Sequence, residues 1–323
     1  MKKRALFVDD EPMVLSGLRR MLRSLRHDWE MSFANSGQEA LALLEEEDFA
    51  VVISDMRMPE MDGATLLNEV AGRHPAAARL VLSGHAELDA ILRAVRPAHQ
   101  FLAKPCDPKL LEQALQRILQ VGCDVRQDEI RTKLGAHRRL PSPSSTIEAL
   151  RTALSATPAD LESVGTIIGS DIAMSIQVLR LVNSAFFGPP TRTLDPRRAV
   201  SVLGADILIS LVDNVGLFRP VDSAIKQGEA AVTLVNQRAV ELASTTRTDV
   251  LDHRDGTDPA VWAMMSLAGS LAAVETPDML DKEGEQALSK LLLAYWGLDV
   301  DISSIAGNSG EVASHQKAEL LGV

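Results

Sequence analysis

The sequence predicts an α/β doubly wound, five-stranded parallel sheet in its first part and an all-α helical second part. Three observations carry that expectation. Short apolar runs alternate with amphipathic segments through about residue 120, the pattern of a parallel sheet covered by helices on both faces. Each run ends on polar residues, at the strand ends where such sheets bind ligands. Beyond about residue 140 only helical periodicities remain, separated by Gly- and Pro-containing loops.

Leu6-Phe7-Val8 is the first run and leads straight into Asp9-Asp10-Glu11-Pro12. A helical stripe follows at Val14, Leu15, Leu18, Met21, Leu22 and Leu25. Val51-Val52-Ile53 ends at Ser54-Asp55, Leu80-Val81-Leu82 at Ser83-Gly84, and Gln100-Phe101-Leu102-Ala103 at Lys104-Pro105. Helical patterns lie around 37–47, 64–73, 86–95 and 108–120. Residues 1–122 are therefore expected to form one domain and 123–138 a linker. The loop-forming cluster Leu140-Pro141-Ser142-Pro143 then opens a second domain over 139–323. Its helical patterns fall at about 147–155, 160–168, 172–185, 197–203, 205–218, 223–247, 259–274 and 285–296.

Composition narrows the function. The 323 residues include 44 Asp+Glu against 33 Lys+Arg, a net charge of −11, and only 3% are aromatic. Such a chain lacks the basic footprint and stacking surfaces of a nucleic-acid binder. The imbalance lies mainly beyond residue 120, where 26 acidic residues face 18 basic ones. Two cysteines, Cys106 and Cys123, form no disulfide framework. The apolar stretch after Met1-Lys2-Lys3-Arg4 stops at Asp9, too short for a signal-peptide core. Pro259–Val274, the longest uncharged stretch, falls short of the roughly 20 residues that span a bilayer. A soluble, cytoplasmic protein is expected, with neither membrane nor direct nucleic-acid contact.

The strand ends carry the chemistry. In a doubly wound sheet Asp9, Asp10 and Asp55 converge, and three carboxylates that repel one another call for a cation. Hard oxygen ligands with room for water suit Mg²⁺. Ser83 brings a hydroxyl and Lys104 a fixed positive charge to the same edge. Together they make a site where a carboxylate accepts a phosphoryl group, with positioning and charge neutralisation supplying the rate.

These residues identify the resemblance. Asp9-Asp10-Glu11-Pro12, Ser54-Asp55-Met56-Arg57-Met58-Pro59, Met61-Asp62-Gly63, Ser83-Gly84 and Lys104-Pro105 make residues 1–120 similar to the CheY-like receiver domain of two-component response regulators. The resemblance implies that Asp55 takes a phosphoryl group from a sensor histidine kinase or phosphotransfer protein. It implies that Asp9, Asp10, Asp55 and the Arg57 backbone carbonyl hold Mg²⁺, and that Lys104–Pro105 is cis. Phe101 matches the family's switch aromatic: Ser83 would move toward the phosphoryl oxygens and Phe101 into the vacated space, reshaping the face of the fourth helix, fifth strand and fifth helix. Arg57 and His85 resemble positions that tune water access.

The second half resembles the HDOD family, related to HD-domain phosphohydrolases, through Leu140-Pro141, Ile172-Ala173-Met174, Val178 through Gly188, Ala199-Val200-Ser201-Val202-Leu203-Gly204 and Leu291 through Leu298. The Asn183-Ser184-Ala185-Phe186 stretch is the most specific. An HD hydrolase needs His and His-Asp metal ligands. Here the first His position falls near Asn236, the His-Asp pair on Ala268-Gly269 and a later His near Glu285. Neither a methyl group nor a hydrogen ligates a metal, so a non-catalytic output domain is expected. The literal pair His27-Asp28 is expected on the receiver surface. The acidic loop Asp249, Asp252, His253, Asp255 and Asp258 reads as solvated, as do Arg192, Arg197 and Arg198. Met264, Met265, Trp262 and Trp296 read as packing residues.

The expectation is a phosphorelay regulator whose helical half acts on a downstream protein partner, with homodimerisation as one route. The competing class is an HD-type phosphohydrolase or cyclic-dinucleotide phosphodiesterase; a third reading is a nucleotide sensor without turnover.

Overall fold

The computed structural model describes residues 2–84, 88–120, 140–184, 187, 193–225, 227–246, 268–274, 289, 291–292 and 294–296. The chain divides into two units. Unit 1 is Met1–Arg138 with Ser184–Phe186 and Ala294–Gly297; unit 2 is the remainder. The two short segments that join unit 1 lie far along the chain, and sequence order gave no sign of them. The expected linker lies outside the described residues.

Unit 1 runs β1 (Lys3–Val8), α1 (Pro12–Met21), a 3-10 turn (Leu22–His27), β2 (Trp29–Ala34), α2 (Gly37–Glu46), β3 (Val51–Asp55), α3 (Gly63–Arg73), β4 (Ala78–Ser83), α4 (Leu88–Val95), β5 (Gln100–Ala103) and α5 (Pro108–Gln120). The sheet is five-stranded in the order β2-β1-β3-β4-β5. Every adjacent pair is parallel. Every residue of β3 and β4 is buried, which is why these strands read as unbroken apolar runs. Strand β2 sits at the edge and is only partly covered. Its Phe33 stacks on Phe7 at 5.3 Å between ring centroids, with the Arg19 guanidinium 4.4 Å over the Phe33 ring.

Helices α2 and α3 begin where the sequence signals a cap. The Ser36 hydroxyl accepts the Glu39 amide at 3.1 Å, and the Glu39 carboxylate in turn accepts the Asn35 amide at 2.7 Å. These bonds satisfy backbone donors that the first turn leaves open. Asp62 caps α3 by accepting the Thr65 amide at 2.8 Å, and its second oxygen pairs with Arg93 of α4 at 2.5 Å.

Unit 2 runs β6 (Pro141–Ser142), α6 (Ser144–Ser155), α7 (Leu161–Gly169), α8 (Ile172–Val182), α9 (Pro196–Leu203), α10 (Ala205–Ile209), a π-helical turn (Ser210–Asn214), β7 (Arg219–Pro220), α11 (Gly228–Thr246) and α12 (Ala268–Ala273). The unit is helical as expected, with one addition: the two-residue strands β6 and β7 pair in parallel. Asp160, Asp171 and Asp195 cap α7, α8 and α9. Gly204, at φ +75, takes the left-handed turn between α9 and α10 that a side chain would disfavour. All eleven residues of α8 are buried, Gln177 and Arg180 among them. Among the described residues no single helix is long and apolar enough to cross a membrane; α7 and α8 qualify only together, and they are bent by 117°.

Candidate functional site at the carboxyl edge of the sheet

Register brings the site together. Val8 pairs with Ser54, Asp55 with Leu82 and Ser83 with Ala103, so β1, β3, β4 and β5 end level at one edge. The Lys104 amide continues the β4–β5 ladder by donating to the Ser83 carbonyl at 2.7 Å. The Lys104–Pro105 peptide is cis, as the resemblance implied.

Lys104 Nζ lies between two carboxylates. It pairs with Asp9 Oδ2 at 2.6 Å and also with Asp55 Oδ1. Asp9 is held from the other side by the Glu11 amide at 3.1 Å, and Asp55 Oδ2 accepts the Arg57 amide at 2.8 Å. The Asp9 side chain is 1% exposed, Asp55 9% and Lys104 21%. Burial pushes the Asp55 carboxyl up; the Lys104 ammonium draws it back, the Asp9 charge raises it further, and the balance stays above the ordinary value. Burial of Lys104 works to lower its pKa, but bonding and attraction from Asp55 and Asp9 outweigh that and hold it raised.

Asp10 is half-buried and Arg57 exposed. Phe101 is buried on β5, register-paired with Val81. The Ser83 hydroxyl is 4% exposed and donates to the neighbouring Gly84 carbonyl at 3.3 Å, not to the acid pair. His85 lies outside the described residues. Cys106 is an inert neighbour: burial and then the Asp107 charge push its thiol up to about 11.

Among the described residues, no three His, Cys, Asp or Glu side chains are grouped closely enough to hold a metal as they stand. Mg²⁺, however, is usually held through one or two carboxylates with water completing its shell. Asp9 and Asp55 already share one cation, Lys104, so the donor set fits that ion.

Sequence reasoning missed Gly63 as a positioning residue. A Cβ there would stand 2.1 Å from the Asp55 carbonyl oxygen, and its amide donates to the Met56 carbonyl at 3.0 Å. The loop after Asp55 thus closes against the strand's own backbone. Gly63→Ala is expected to cost about 1–3 kcal/mol in thermal or chemical unfolding, as overpacking does, and to displace Asp55 from Lys104.

In unit 2, the Asn236 side chain bonds on both its atoms to the start of α8. Its Nδ2 donates to Asp171 Oδ2 at 2.8 Å and its Oδ1 accepts the Ile172 amide at 3.1 Å. Ala268 is fully buried in α12. Asn183 closes the turn after α8 on both sides, accepting the Thr193 amide at 2.9 Å and donating to the Thr193 carbonyl at 2.7 Å. His27-Asp28, Arg197 and Arg198 are on the surface. Glu285, Gly188, Arg192, Trp262, Met264, Met265, Cys123 and the acidic loop from Asp249 to Asp258 lie outside the described residues.

A level parallel-sheet edge carrying two buried carboxylates, a lysine and a serine defines a receiver-type module. Residues 5–116 match the response regulator receiver domain family and 140–250 the HDOD domain family. The chain carries a response regulator receiver domain followed by an HDOD domain. It is 36% identical over 116 residues to the transcriptional regulatory protein GlrR of Escherichia coli K12, covering 36% of this chain and 26% of that protein. With the transcriptional regulatory protein ZraR of the same strain it shares 32% over 115 residues, 35% of this chain and 26% of that one. The match spans about a quarter of the length of these curated relatives. Among solved structures, the signal receiver domain of an HD domain-containing protein from Pseudomonas fluorescens Pf-5 is 31% identical, with 37% of this chain and 96% of that one covered and a TM-score of 0.36.

Proposed function

We propose that the chain is a phosphorelay regulator in which Asp55 accepts a phosphoryl group and thereby switches a non-catalytic HDOD domain that signals through protein–protein contact. The observation that carries this reading is Lys104 Nζ shared by Asp9 and Asp55 at one sheet edge. The donor is the phosphohistidine of a sensor kinase or phosphotransfer protein. An Asp55 carboxylate oxygen attacks phosphorus, the new O–P bond forms as the N–P bond breaks, and the departing imidazole takes a proton from solvent. Asp9, Asp10, Asp55 and the Arg57 backbone carbonyl would hold Mg²⁺, which supplies charge neutralisation for the transferred oxygens. Lys104 Nζ neutralises the same oxygens from the protein side, while the Arg57 amide orients the carboxylate. Ser83 then reorients from Gly84 toward the phosphoryl group, and Phe101 repacks with it. Phosphorylation biases conformers that already exist.

On this reading the HDOD domain cuts nothing. Asn236 spends its amide on Asp171 and Ile172, and a buried alanine stands where a ligand would be needed. The acidic second half favours a protein partner over a nucleic-acid backbone, with a homodimer as one route to it, and the cytoplasm is where the chain would work.

Incubation of the full chain with radiolabelled phosphoramidate and Mg²⁺ is expected to label wild type and leave Asp55→Asn unlabelled. Equal labelling of both sinks the assignment. Metal-dependent hydrolysis of cyclic dinucleotides by the full chain would overturn the non-catalytic half.

A further inference from the structure

Unit 1 contains a short segment remote in sequence from the sheet it packs on. Ala294, Tyr295 and Trp296 are buried, Tyr295 to 5% exposure. Their receptor is the amino-terminal end of β4 and β5, opposite the phosphoryl edge. Gln100, the first residue of β5, donates its side-chain amide to the carbonyls of Ala294 at 3.0 Å and Tyr295 at 2.8 Å. Ala294 and Tyr295 are helical, and the last carbonyls of a helix need donors from outside it. A glutamine in a buried strand likewise needs partners, because an unpaired buried amide is costly. The Tyr295 hydroxyl donates to the Ala76 carbonyl at 3.0 Å, and its ring lies 5.0 Å from the His99 ring.

The receptor is itself tied together by buried hydrogen bonds. Arg79 is fully buried; its guanidinium donates to the carbonyls of Pro97 at 2.7 Å and Ala77 at 3.1 Å and lies 2.9 Å from His99 Nε2. The Arg79 amide donates to His99 Nδ1 at 3.0 Å, which orients the imidazole whose ring lies against Tyr295.

We propose that Ala76, His99 and Gln100 form an intramolecular docking site for the helix end at Ala294–Trp296, and that its occupancy is coupled through β5 to the phosphoryl site. The coupling rests on the reading of Asp55 as phospho-acceptor; the docking does not. Gln100 precedes Phe101 directly, so a repacking of Phe101 shifts the residue that holds the segment. Linkage makes the effect reciprocal.

Hydrogen exchange on the full chain tests both halves. Tyr295→Ala is expected to speed exchange of the amides at 76–79 and 99–101 by about tenfold while those of β1 and β3 keep their protection. Gln100→Leu approaches the contact from β5, leaves the sequence of the docked segment intact, and is expected to speed exchange at 291–296. Unchanged exchange at both places overturns the docking. Beryllofluoride with Mg²⁺, an acyl-phosphate mimic, is expected to alter exchange at 291–296 in wild type and not in Asp55→Asn. Protection around Asp55 with no change at 291–296 overturns the coupling alone. No protection around Asp55 defeats the phospho-acceptor reading, and the coupling with it, while the docking is still judged by the two variants.

Discussion

Replacing Lys104 by methionine is expected to slow phosphoryl transfer to Asp55 by about 10²–10³-fold, the usual cost of removing one preorganised donor from a site of developing negative charge. The side chain is nearly isosteric, so the change removes charge and hydrogen bonding with little loss of packing. Without the ammonium, Asp9 and Asp55 face each other in a largely buried site with no protein cation between them. Two consequences separate this from simple damage. Mg²⁺ is expected to bind the variant more tightly than wild type, because Lys104 no longer competes for the same carboxylates. The thermal midpoint is expected to fall in metal-free buffer and to recover on adding Mg²⁺. Single-turnover labelling at saturating Mg²⁺ measures the first effect, and calorimetry in the two buffers measures the others. A rate within threefold of wild type would remove Lys104 from the mechanism.

Asp9, Asp55, Ser83 and Lys104 were legible in the sequence for a physical reason. Asp55 and Ser83 end β3 and β4, every residue of which is buried. Asp9 and Lys104 directly follow β1 and β5. Buried strand segments write themselves as apolar runs with abrupt polar ends. Strand β2 was not marked by any run, because an edge strand alternates: Trp29, Met31 and Phe33 are separated by Glu30 and Ser32, and only the strand's two ends are fully buried. Helix ends were legible only where a local cap signals them. The pattern at 223–247 begins several residues before α11 does, because Asp222 accepts the Ala224 amide at 2.9 Å and makes a turn instead. The pattern at 172–185 runs past Val182 because the bonds that stop it tie Asn183 to Thr193, ten residues further on. The docking of Tyr295 on His99 joins residues nearly two hundred positions apart, and periodicity carries no trace of a contact at that distance.

The same holds for the polar centre of unit 2, where Asp171→Ala is expected to unfold that unit or leave it marginal, with a loss of about 3–5 kcal/mol. Asp171 is 1% exposed and joins three elements. It accepts the Met174 amide at 2.8 Å as the cap of α8, the Ser142 hydroxyl at 2.9 Å from β6, and the Asn236 amide at 2.8 Å from α11. Alanine removes the cap, worth about 1 kcal/mol, and leaves the side-chain donors of Ser142 and Asn236 without their acceptor at about 1–3 kcal/mol each. Asp171→Asn keeps one acceptor but sets its NH2 against that of Asn236. The double variant Asp171→Asn/Asn236→Asp reverses donor and acceptor while preserving shape, and is expected to recover most of the loss; recovery no better than additive would show that the pair does not act as one network. Charge adds a pH signature. Burial, only partly offset by the donors from Met174, Ser142 and Asn236, pushes the Asp171 carboxyl up to about 6 from 3.8. The folded state therefore holds this proton more tightly than the unfolded chain. The resulting stabilisation is full below the unfolded value and is lost as pH rises through the folded one, an effect of about 3 kcal/mol across that window. Unfolding followed at pH 4 and pH 7 is expected to show this component in wild type, and Asp171→Asn to lack it. A wild-type slope that persists in Asp171→Asn would assign it to another group.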